Sequence, residues 1–398
     1  MVYWSFSSGN SFPIELMRKT RFLLLTVLIL SAAVGWILSR NSQRDYSLTP
    51  PPPPDVVEPK PTQSSATEEP NGGPDREVVA DGLQIPWEIL FLPDGKLLVS
   101  ERPGRLLLIG TDRHAIEVSG VRHVGEGGLL GLAMHPDFER NGLLYLYLTS
   151  QENGQIVNRV ERYLLDGASL SQREVILEGI RGASNHDGGR IAFGPDGFLY
   201  IGTGDAQQAQ TAQDTNSLNG KILRIRDDGT IPADNPFGNA VYSYGHRNVQ
   251  GLAWDDQGRL WATEHGRSGV LSGLDELNLI ERGKNYGWPE IQGDEQREGM
   301  VRPQIHSGNE TWAPSGAEYI GGTIFFAGLR GESLYEAKVE GGRVVAFSRQ
   351  LQGEYGRLRS VRLGPDGYLY LLTSNRDGRG SPQNDDDRII RIHPRILR

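Results

Sequence analysis

A short apolar run, a tight turn and a second apolar run recur along the chain. The clearest copy lies in Ser184–Ala206, SNHDGGRIAFGPDGFLYIGTGDA, where a Pro-Asp-Gly turn separates two runs rich in aromatic and branched residues. Because proline fixes φ, aspartate bonds its own backbone and glycine accepts positive φ, this pattern predicts a β-hairpin. Comparable turns carry an aspartate at five positions, namely Asp94, Asp137, Asp196, Asp256 and Asp366.

The spacing of these turns predicts the fold. They lie roughly 40 to 60 residues apart, except for a last interval about twice as long. Gly321–Val339 supplies the strands of one further unit in that interval. Strand-rich repeats of this length are typical of β-propellers with four-stranded blades. We therefore expect an all-β protein, a six-bladed β-propeller of four-stranded antiparallel blades over residues 77–398, with Glu77–Leu83 and Arg388–His393 closing the last blade together.

The first 76 residues follow a different pattern. Residues 22–39 are uncharged and mostly apolar, with basic residues before and after them. This pattern predicts a membrane anchor preceded by a cytoplasmic tail (1–21), and a cleavable signal peptide is the alternative. The Pro-rich, mostly polar composition of residues 40–76 predicts a flexible, disordered linker. The propeller is then expected on the exported side of the cytoplasmic membrane, periplasmic or extracellular, anchored or secreted.

Composition excludes several classes of function. The 398 residues carry a formal net charge of −9, which argues against a nucleic-acid partner. The chain contains no cysteine, so thiolate metal sites, cysteine nucleophiles and disulfides are excluded. It also lacks the P-loop, the dinucleotide-binding glycine motif, and the zinc-protease and serine-hydrolase motifs. Candidate chemistry is therefore sought in the polar loops beside the predicted strands.

Three kinds of candidate group occur in those loops. His186 lies in a glycine-rich loop and has the side chain best suited to general-base catalysis near neutral pH, although most histidines are structural. The segment Asp275–Pro289 offers oxygen ligands for Ca²⁺, without the spacing of an EF-hand, and fits a solvated acidic turn equally well. Four arginines could converge on a carboxylated ligand, or each could be a solvated strand residue. They are Arg247, Arg330, Arg357 and Arg359.

Eight sequence runs, given below in their order along the chain, resemble the motifs of the soluble pyrroloquinoline quinone (PQQ)-dependent aldose and glucose dehydrogenases. The resemblance extends over the predicted propeller and over none of the first 76 residues. It implies a PQQ cofactor, Ca²⁺ and six blades. The matching runs are GEGGLLGLAMHPDF (125–138), NHDGGRIAFGPDG (185–197), LNGKILRI (218–225), GHRNVQGLAW (245–254), TEHG (263–266), DELNLIERGKNYGWP (275–289), GLRG (328–331) and RLRSVRLGPDG (357–367).

The resemblance also implies catalytic and cofactor-binding roles. His186 matches the general base that takes the proton from the anomeric hydroxyl while hydride passes to the quinone. Arg247 and Asn248 match residues that contact the quinone oxygens, where the cation would stabilise developing charge. Arg330 stands where the glucose enzyme has a lysine. The arginines at 357 and 359 match the pair that binds the cofactor carboxylates.

Metal and substrate residues are implied in the same way. The backbone carbonyls of Gly266 and Arg267 match ligands of a Ca²⁺ that also holds PQQ and acts as a Lewis acid. Glu276 and Tyr286 match a second, structural Ca²⁺ site. On the substrate side, a glutamate at position 126 replaces the glutamine of the glucose enzyme, and an asparagine at position 185 replaces its aspartate.

These departures affect the expected substrate. Glu126 and Asn185 occupy positions that contact substrate or cofactor in the glucose enzyme, so its preference for glucose does not transfer. Long insertions that cover the pocket of the glucose enzyme are also missing near the fifth unit. A more open pocket and a broader range of aldoses are expected.

The predicted activity is PQQ-dependent oxidation of aldoses at the anomeric carbon to the lactone. Electrons would pass to a respiratory acceptor or an artificial dye. Two alternatives stay open at this point: a Ca²⁺-dependent propeller hydrolase such as a sugar lactonase, and a propeller that binds a ligand without catalysis. A cofactor-dependent oxidation separates the first reading from both.

Overall fold

The computed structural model describes residues 73–268 and 272–397. These residues form a six-bladed β-propeller in which each blade is a four-stranded antiparallel sheet, which confirms the fold predicted from the repeats. The predicted tail and anchor, and the linker up to residue 72, lie outside the described residues. Within the described ranges, no helix is both long enough and apolar enough to cross a membrane.

Strands are numbered in chain order and grouped by blade. Blade 1 contains β2 Pro86–Phe91, β3 Leu97–Glu101, β4 Arg105–Ile109 and β5 Arg113–Glu117. Blade 2 contains β6 Leu129–Met134, β7 Leu143–Glu152, β8 Gln155–Asp166 and β9 Ser169–Arg181. Blade 3 contains β10 Ile191–Phe193, β11 Leu199–Gly202, β12 Lys221–Ile225 and β13 Val241–Tyr244.

The second half of the ring follows the same order. Blade 4 contains β14 Val249–Trp254, β15 Leu260–Glu264, β16 Glu276–Ile280 and β17 Ile305–His306. Blade 5 contains β18 Pro314–Ile320, β19 Thr323–Gly328, β20 Ser333–Glu340 and β21 Arg343–Gln350. Blade 6 contains β22 Leu358–Leu363, β23 Leu369–Thr373, β24 Ile389–Ile392 and β1 Arg76–Ala80. The short helices are α1 Phe138–Asn141 and the 3₁₀ turns Ala209–Ala212 and Pro394–Leu397.

Blade 6 closes the ring with strands from both ends of the propeller, as predicted. β1 pairs with β24 in antiparallel register, with Glu77 opposite Arg391. The innermost strand of this blade is β22, and β23 and β24 follow it outward. Because neighbouring strands alternate in direction, β1 begins at the mouth of the propeller where β22 and β24 end. We call this the far mouth, and the mouth where the innermost strands begin the near mouth.

The aspartate-marked turns have the structural role that the sequence suggested. Each connects the first strand of its blade to the second, and in blade 2 the turn continues into α1. Asp196 accepts bonds from the backbone of Phe198 and the hydroxyl of Tyr200. Blade 5 lacks the aspartate because its turn has only two residues, Gly321 and Gly322, both with positive φ. Glycine tolerates that conformation without a side-chain cap.

Apolar side chains pack between neighbouring blades. The described residues contain six buried hydrophobic clusters, and each joins one blade to the next around the ring. In the cluster between blades 4 and 5, for example, Trp261 and Trp312 pack with Phe326 and Tyr335. Repeated interfaces of this kind hold the innermost strands at fixed positions, so the loops at the near mouth have a rigid base.

The propeller axis is polar and charged. Glu88 on β2 is fully buried and accepts bonds from two arginines, Arg190 before β10 and Arg362 on β22. Arg190 also donates to the carbonyl of Gln250 and lies over the ring of Trp87, 4.1 Å from its centroid. Buried charges are tolerated only when they are paired and hydrogen-bonded, so these contacts lock blades 1, 3 and 6 together.

Candidate functional site

The near mouth contains a polar cavity of about 420 Å³. Its lining comes from segments that precede innermost strands and from loops that follow second strands. The sequence had singled out many of these residues, although they come from distant parts of the chain. The predicted residues that line the cavity are Glu126, Asn185, His186, Arg247, Gly266, Arg267, Arg330 and Arg357.

A second cavity of the same volume opens at the far mouth. It is lined by the ends of the innermost strands, with apolar side chains such as Phe91, Phe193 and Trp254. None of the predicted site residues belongs to it. We therefore place the chemistry at the near mouth, where convergent cations and a histidine are found.

His186 is held in a defined orientation at the floor of the near-mouth cavity. Its Nδ1 lies 2.7 Å from Oδ1 of Asp205, and Oδ2 of Asp205 accepts a 2.9 Å bond from the indole of Trp288. A carboxylate facing Nδ1 stabilises the tautomer with its proton on that nitrogen. Nε2 is then the basic nitrogen, and it lies 2.9 Å from Nη2 of Arg247. Asp205 was not among the predicted site residues.

Arg247 is fixed from three sides. Its backbone N–H donates to Glu264, and Nη2 also donates to the hydroxyl of Ser268 at 2.6 Å. The guanidinium lies over the ring of Trp288, 5.2 Å from its centroid. Burial lowers the pKa of Arg247, while nearby carboxylates, Asp205 first among them, oppose the shift. The side chain therefore stays cationic beside the histidine.

The two predicted carboxylate-binding arginines occupy different cavities. Arg357 lines the main cavity and donates to Oδ2 of Asp377 at 2.8 Å. Arg359 instead lines an adjoining cavity of about 190 Å³ together with Arg102, and donates to the side chain of Gln250 at 2.7 Å. Burial lowers the pKa of Arg359 to about 9, with repulsion from Arg102 and Arg357 adding to the shift.

Several buried nitrogens around these cavities have no hydrogen-bond partner among the described residues. Unpaired buried donors are costly, and three or more cations so close together repel each other. A ligand that carries several carboxylates would satisfy both the donors and the excess charge. The residues therefore fit a polycarboxylate cofactor such as PQQ. The nitrogens are Nε of Arg102, Arg247, Arg267 and Arg359, and Nε2 of His265.

Asn248 is buried below the cavity lining, whereas Arg330 lies at the protein surface. The side chain of Asn248 is fully buried, and its Oδ1 accepts a 2.9 Å bond from the backbone of Gly188. This bond ties blade 4 to the loop that carries the histidine, while Nδ2 is left without a partner among the described residues. Arg330 is exposed at the rim of the cavity.

The predicted metal residues fall into two groups. Gly266 and Arg267 line the main cavity, and the backbone N–H of Gly266 donates to Asp275 at 2.8 Å. Glu276 lies away from the cavity, opposite Glu264 in the pairing of β15 with β16. Burial and the neighbouring charge of Glu264 raise the pKa of Glu276 to about 8. Two neighbouring carboxylates, one buried and one half-buried, suit a hard cation between them.

Two further observations bear on the metal prediction. The hydroxyl of Tyr286 already donates to the carbonyl of Leu279 at 2.7 Å, and its ring stacks on His246 at 4.8 Å. Tyr286 is therefore able to offer a metal its backbone carbonyl rather than its hydroxyl. Across residues 73–268 and 272–397, no group of three or more acidic or histidine side chains is placed to hold a metal.

Glu126 and Asn185 meet at the rim of the cavity through a residue that the sequence did not single out. Arg379, in the loop after β23, donates to Oε1 of Glu126 at 2.6 Å and to Oδ1 of Asn185 at 2.7 Å. The other oxygen of Glu126 accepts the backbone N–H of His186 at 2.9 Å. The substrate-side residues and the histidine thus form one bonded group.

Replacing Gly204 with alanine is expected to distort this group. A Cβ at Gly204 would overlap the carbonyl oxygen of His186, and the backbone on both sides is held by the pairing of Gly204 with Asn248. We expect the free energy of unfolding to fall by about 1–3 kcal/mol, as for other overpacked sites. Urea unfolding measures this change.

The matched control is Gly110→Ala. There the added Cβ meets only the flexible side chain of Lys96. A change below about 0.5 kcal/mol is expected for this surface position. Equal effects of the two substitutions on the unfolding midpoint would contradict the proposed close packing at Gly204.

Comparisons with known proteins identify the family of this chain. Residues 83–391 match the family model described as Glucose / Sorbosone dehydrogenase. The chain is 34% identical to the aldose sugar dehydrogenase YliI of Escherichia coli over 354 residues, covering 77% of this chain and 93% of that protein. It is 33% identical to quinoprotein glucose dehydrogenase B of Acinetobacter calcoaceticus over 257 residues, covering 55% of this chain and 53% of that protein.

A solved structure gives the same result. The PQQ-bound aldose sugar dehydrogenase of Streptomyces coelicolor is 43% identical and superimposes with a TM-score of 0.74, covering 80% of this chain and 99% of that one. The family match extends from the turn after β1 into β24, so it includes every loop of the near-mouth cavity. The chain belongs to the glucose/sorbosone dehydrogenase family.

Proposed function

We propose that this protein is a PQQ-dependent aldose dehydrogenase that oxidises the anomeric carbon of the sugar to the lactone. The observation that carries the proposal is the His186 geometry, a histidine oriented by a buried carboxylate with its free nitrogen beside a cation. The cluster of arginines around it supports a polycarboxylate cofactor. The family to which the chain belongs supports a sugar as the substrate.

His186 is the proposed general base. Asp205 holds its Nδ1, so Nε2 carries the lone pair, and the anomeric hydroxyl would replace Nη2 of Arg247 as its partner and give it the proton. The same carboxylate stabilises the imidazolium that forms when the proton is taken. Arg247 keeps Nε2 pointed into the cavity and places positive charge where negative charge develops.

Arg247, Asn248, Arg330, Arg357 and Arg359 are the residues that would hold PQQ. When bound, this cofactor supplies a quinone that accepts a hydride, and thus two electrons, from the sugar. Gly266 and Arg267 would hold a Ca²⁺ beside it through their carbonyls, and Glu276 and Tyr286 a structural Ca²⁺. Asp377 supports the cofactor site by holding Arg357 in place.

The proposed cellular location of the protein rests on residues 1–76. An anchor at 22–39 and a linker at 40–76 would place the propeller of residues 77–398 on the exported side of the membrane. The electrons would then leave through a respiratory acceptor there. A Ca²⁺-dependent lactonase and a binding propeller are the remaining alternatives, and neither makes use of a histidine, a cation beside it and a polycarboxylate site together.

Reconstitution tests the proposal. The full chain in detergent, treated with chelator, is given PQQ, Ca²⁺ or both, and dye reduction is followed with a panel of aldoses. We expect turnover only when both are present, because Ca²⁺ and the arginines hold the cofactor jointly. PQQ binding followed by fluorescence should be at least about tenfold tighter with Ca²⁺ present.

Three outcomes separate the alternatives. Release of acid from a lactone that needs Ca²⁺ alone would replace the proposal with a hydrolase. Sugar binding with no PQQ binding would favour a binding propeller. PQQ binding without dye reduction by any aldose in the panel would mean that the substrate is of another class.

A further inference from the structure

At the rim of the near-mouth cavity, Arg379 of blade 6 bonds to the segments that precede blades 2 and 3. It lies in the loop between β23 and β24, and its two terminal nitrogens each donate to a different partner, Glu126 at 2.6 Å and Asn185 at 2.7 Å. A guanidinium is a rigid, planar fork of donors, so it fixes the distance between its acceptors. One cation therefore sets the relative position of both substrate-side residues.

Glu126 links Arg379 to the proposed base through a hydrogen bond. Its Oε2 accepts the backbone N–H of His186 at 2.9 Å, and the φ angle of His186 is +63°. That conformation is unfavourable for a residue with a side chain, so it persists only where bonds hold it. The bond from Glu126 is one of these, and Arg379 in turn holds Glu126.

The base of the Arg379 loop is tied to the cofactor side of the cavity. The backbone N–H of Arg379 donates to Oδ1 of Asp377 at 2.9 Å, and Oδ2 of Asp377 accepts from Arg357 at 2.8 Å. The segment from Asp377 to Arg379 thus spans from a candidate cofactor residue to the substrate rim. This bond anchors the backbone of Arg379 beside the candidate cofactor residues.

The rim pair carries one charge of each sign. Burial acts to raise the pKa of Glu126, whereas the charge of Arg379 and the bond from His186 lower it, so the carboxyl is ionised. Arg379 is the cation directly bonded to the carboxylate. Its side chain is 52% exposed and that of Glu126 17%, so the pair meets solvent and incoming ligands.

We propose that Arg379 is a positioning residue that, with Glu126, leaves the side of the rim formed by Glu126 and Asn185 without net charge and so selects uncharged aldoses over uronic acids. The proposal rests on the aldose oxidation proposed above. Hydroxyls of a neutral sugar can bond to Glu126 and Asn185 without disturbing the ion pair. The carboxylate of a uronic acid would lie beside Glu126 and be repelled, and the guanidinium that could attract it is already engaged.

Charge substitutions at the pair test the proposal. Glu126→Gln frees the guanidinium, and we expect the ratio of kcat/KM for glucuronate to that for glucose to rise at least about tenfold. Arg379→Gln leaves the carboxylate unpaired, and the ratio should fall by about the same factor. The double variant restores a neutral rim, so its ratio should return to within about threefold of the wild-type value.

A second measurement does not depend on turnover. Hydrogen exchange of the backbone from 183 to 190 is compared in the wild type and in Arg379→Gln, both with and without PQQ. We expect faster exchange in the variant because Glu126 no longer holds the N–H of His186. Binding of PQQ itself should change less than about threefold, since Arg379 belongs to the substrate rim.

The matched control is the exposed ion pair of Asp137 and Arg140 in α1. Asp137→Asn and Arg140→Gln make the same charge changes at the far mouth. Neither the ratio of kcat/KM for glucuronate to that for glucose nor the hydrogen exchange at 183–190 should change. Ratios within twofold of the wild type in both rim variants, or unchanged exchange at 183–190, would overturn the proposal. If the wild type oxidises no aldose, the proposed function has failed, and the exchange data alone then decide whether Arg379 positions His186.

Discussion

His186→Ala is expected to lower kcat for aldose oxidation about 10²–10⁴-fold, the usual range for loss of a general base. The substitution removes the nitrogen that accepts the anomeric proton and leaves Asp205 and Arg247 without their common partner. Binding of PQQ should persist, because the arginines that would bind its carboxylates are untouched. Stopped-flow reduction of the bound cofactor by sugar separates this chemical step from the later transfer to dye.

Two further variants define the role of the histidine. Asp205→Asn keeps the ring in place but weakens the preference for one tautomer, so a smaller loss in kcat is expected than for His186→Ala. His114→Ala is the matched control, since His114 is exposed on the outer strand β5. A His186→Ala variant that retains more than half of the wild-type kcat would exclude it as the base.

Glu88→Ala is expected to lower the free energy of unfolding by about 3–5 kcal/mol, the effect of breaking a buried ion pair from one side. Glu88 accepts bonds from Arg190, Arg362 and the hydroxyl of Ser360 at the centre of the ring. Without it, the fully buried guanidinium of Arg190 loses its carboxylate partner and is left near the guanidinium of Arg362. The urea midpoint of the purified protein measures the loss.

An exposed ion pair provides the comparison. Asp94 and Lys96 bond at 2.5 Å on the surface, and each side chain is about half exposed. Asp94→Ala should cost less than about 1 kcal/mol, because solvent screens such pairs. If Glu88→Ala also costs less than about 1 kcal/mol, the axial charges do not hold the blades together in the way described.

The repeat pattern was sufficient to predict the fold because most blades carry a turn motif that can be recognised from neighbouring residues alone. A Pro-Asp-Gly turn between two apolar runs depends only on neighbouring residues, so Asp94, Asp196 and Asp366 could be read directly. The unmarked blade was found from its spacing, and its Gly321–Gly322 turn explains why the aspartate is missing. Closure of blade 6 followed from the same pattern, because the count of strands required one from each end.

The site was only partly predictable, since its key contacts join residues far apart in the sequence. Arg379 and Glu126 are separated by 253 positions, and no local motif marks either as a partner of the other. Asp205 and Asp377 were missed for the same reason, although each holds a residue that was predicted. Arg359 was paired with Arg357 through the family resemblance, yet the two side chains line different cavities.

The direction of the outermost strand has a practical consequence. β1 begins and β24 ends at the far mouth, so both ends of the propeller lie across the full depth of the ring from the catalytic cavity. A surface attached at either end would leave that cavity facing the solution. Immobilising the propeller on an electrode through either of its own ends would therefore leave the near-mouth cavity open to the solution, while direct electron exchange with the electrode would have to cross the thickness of the propeller.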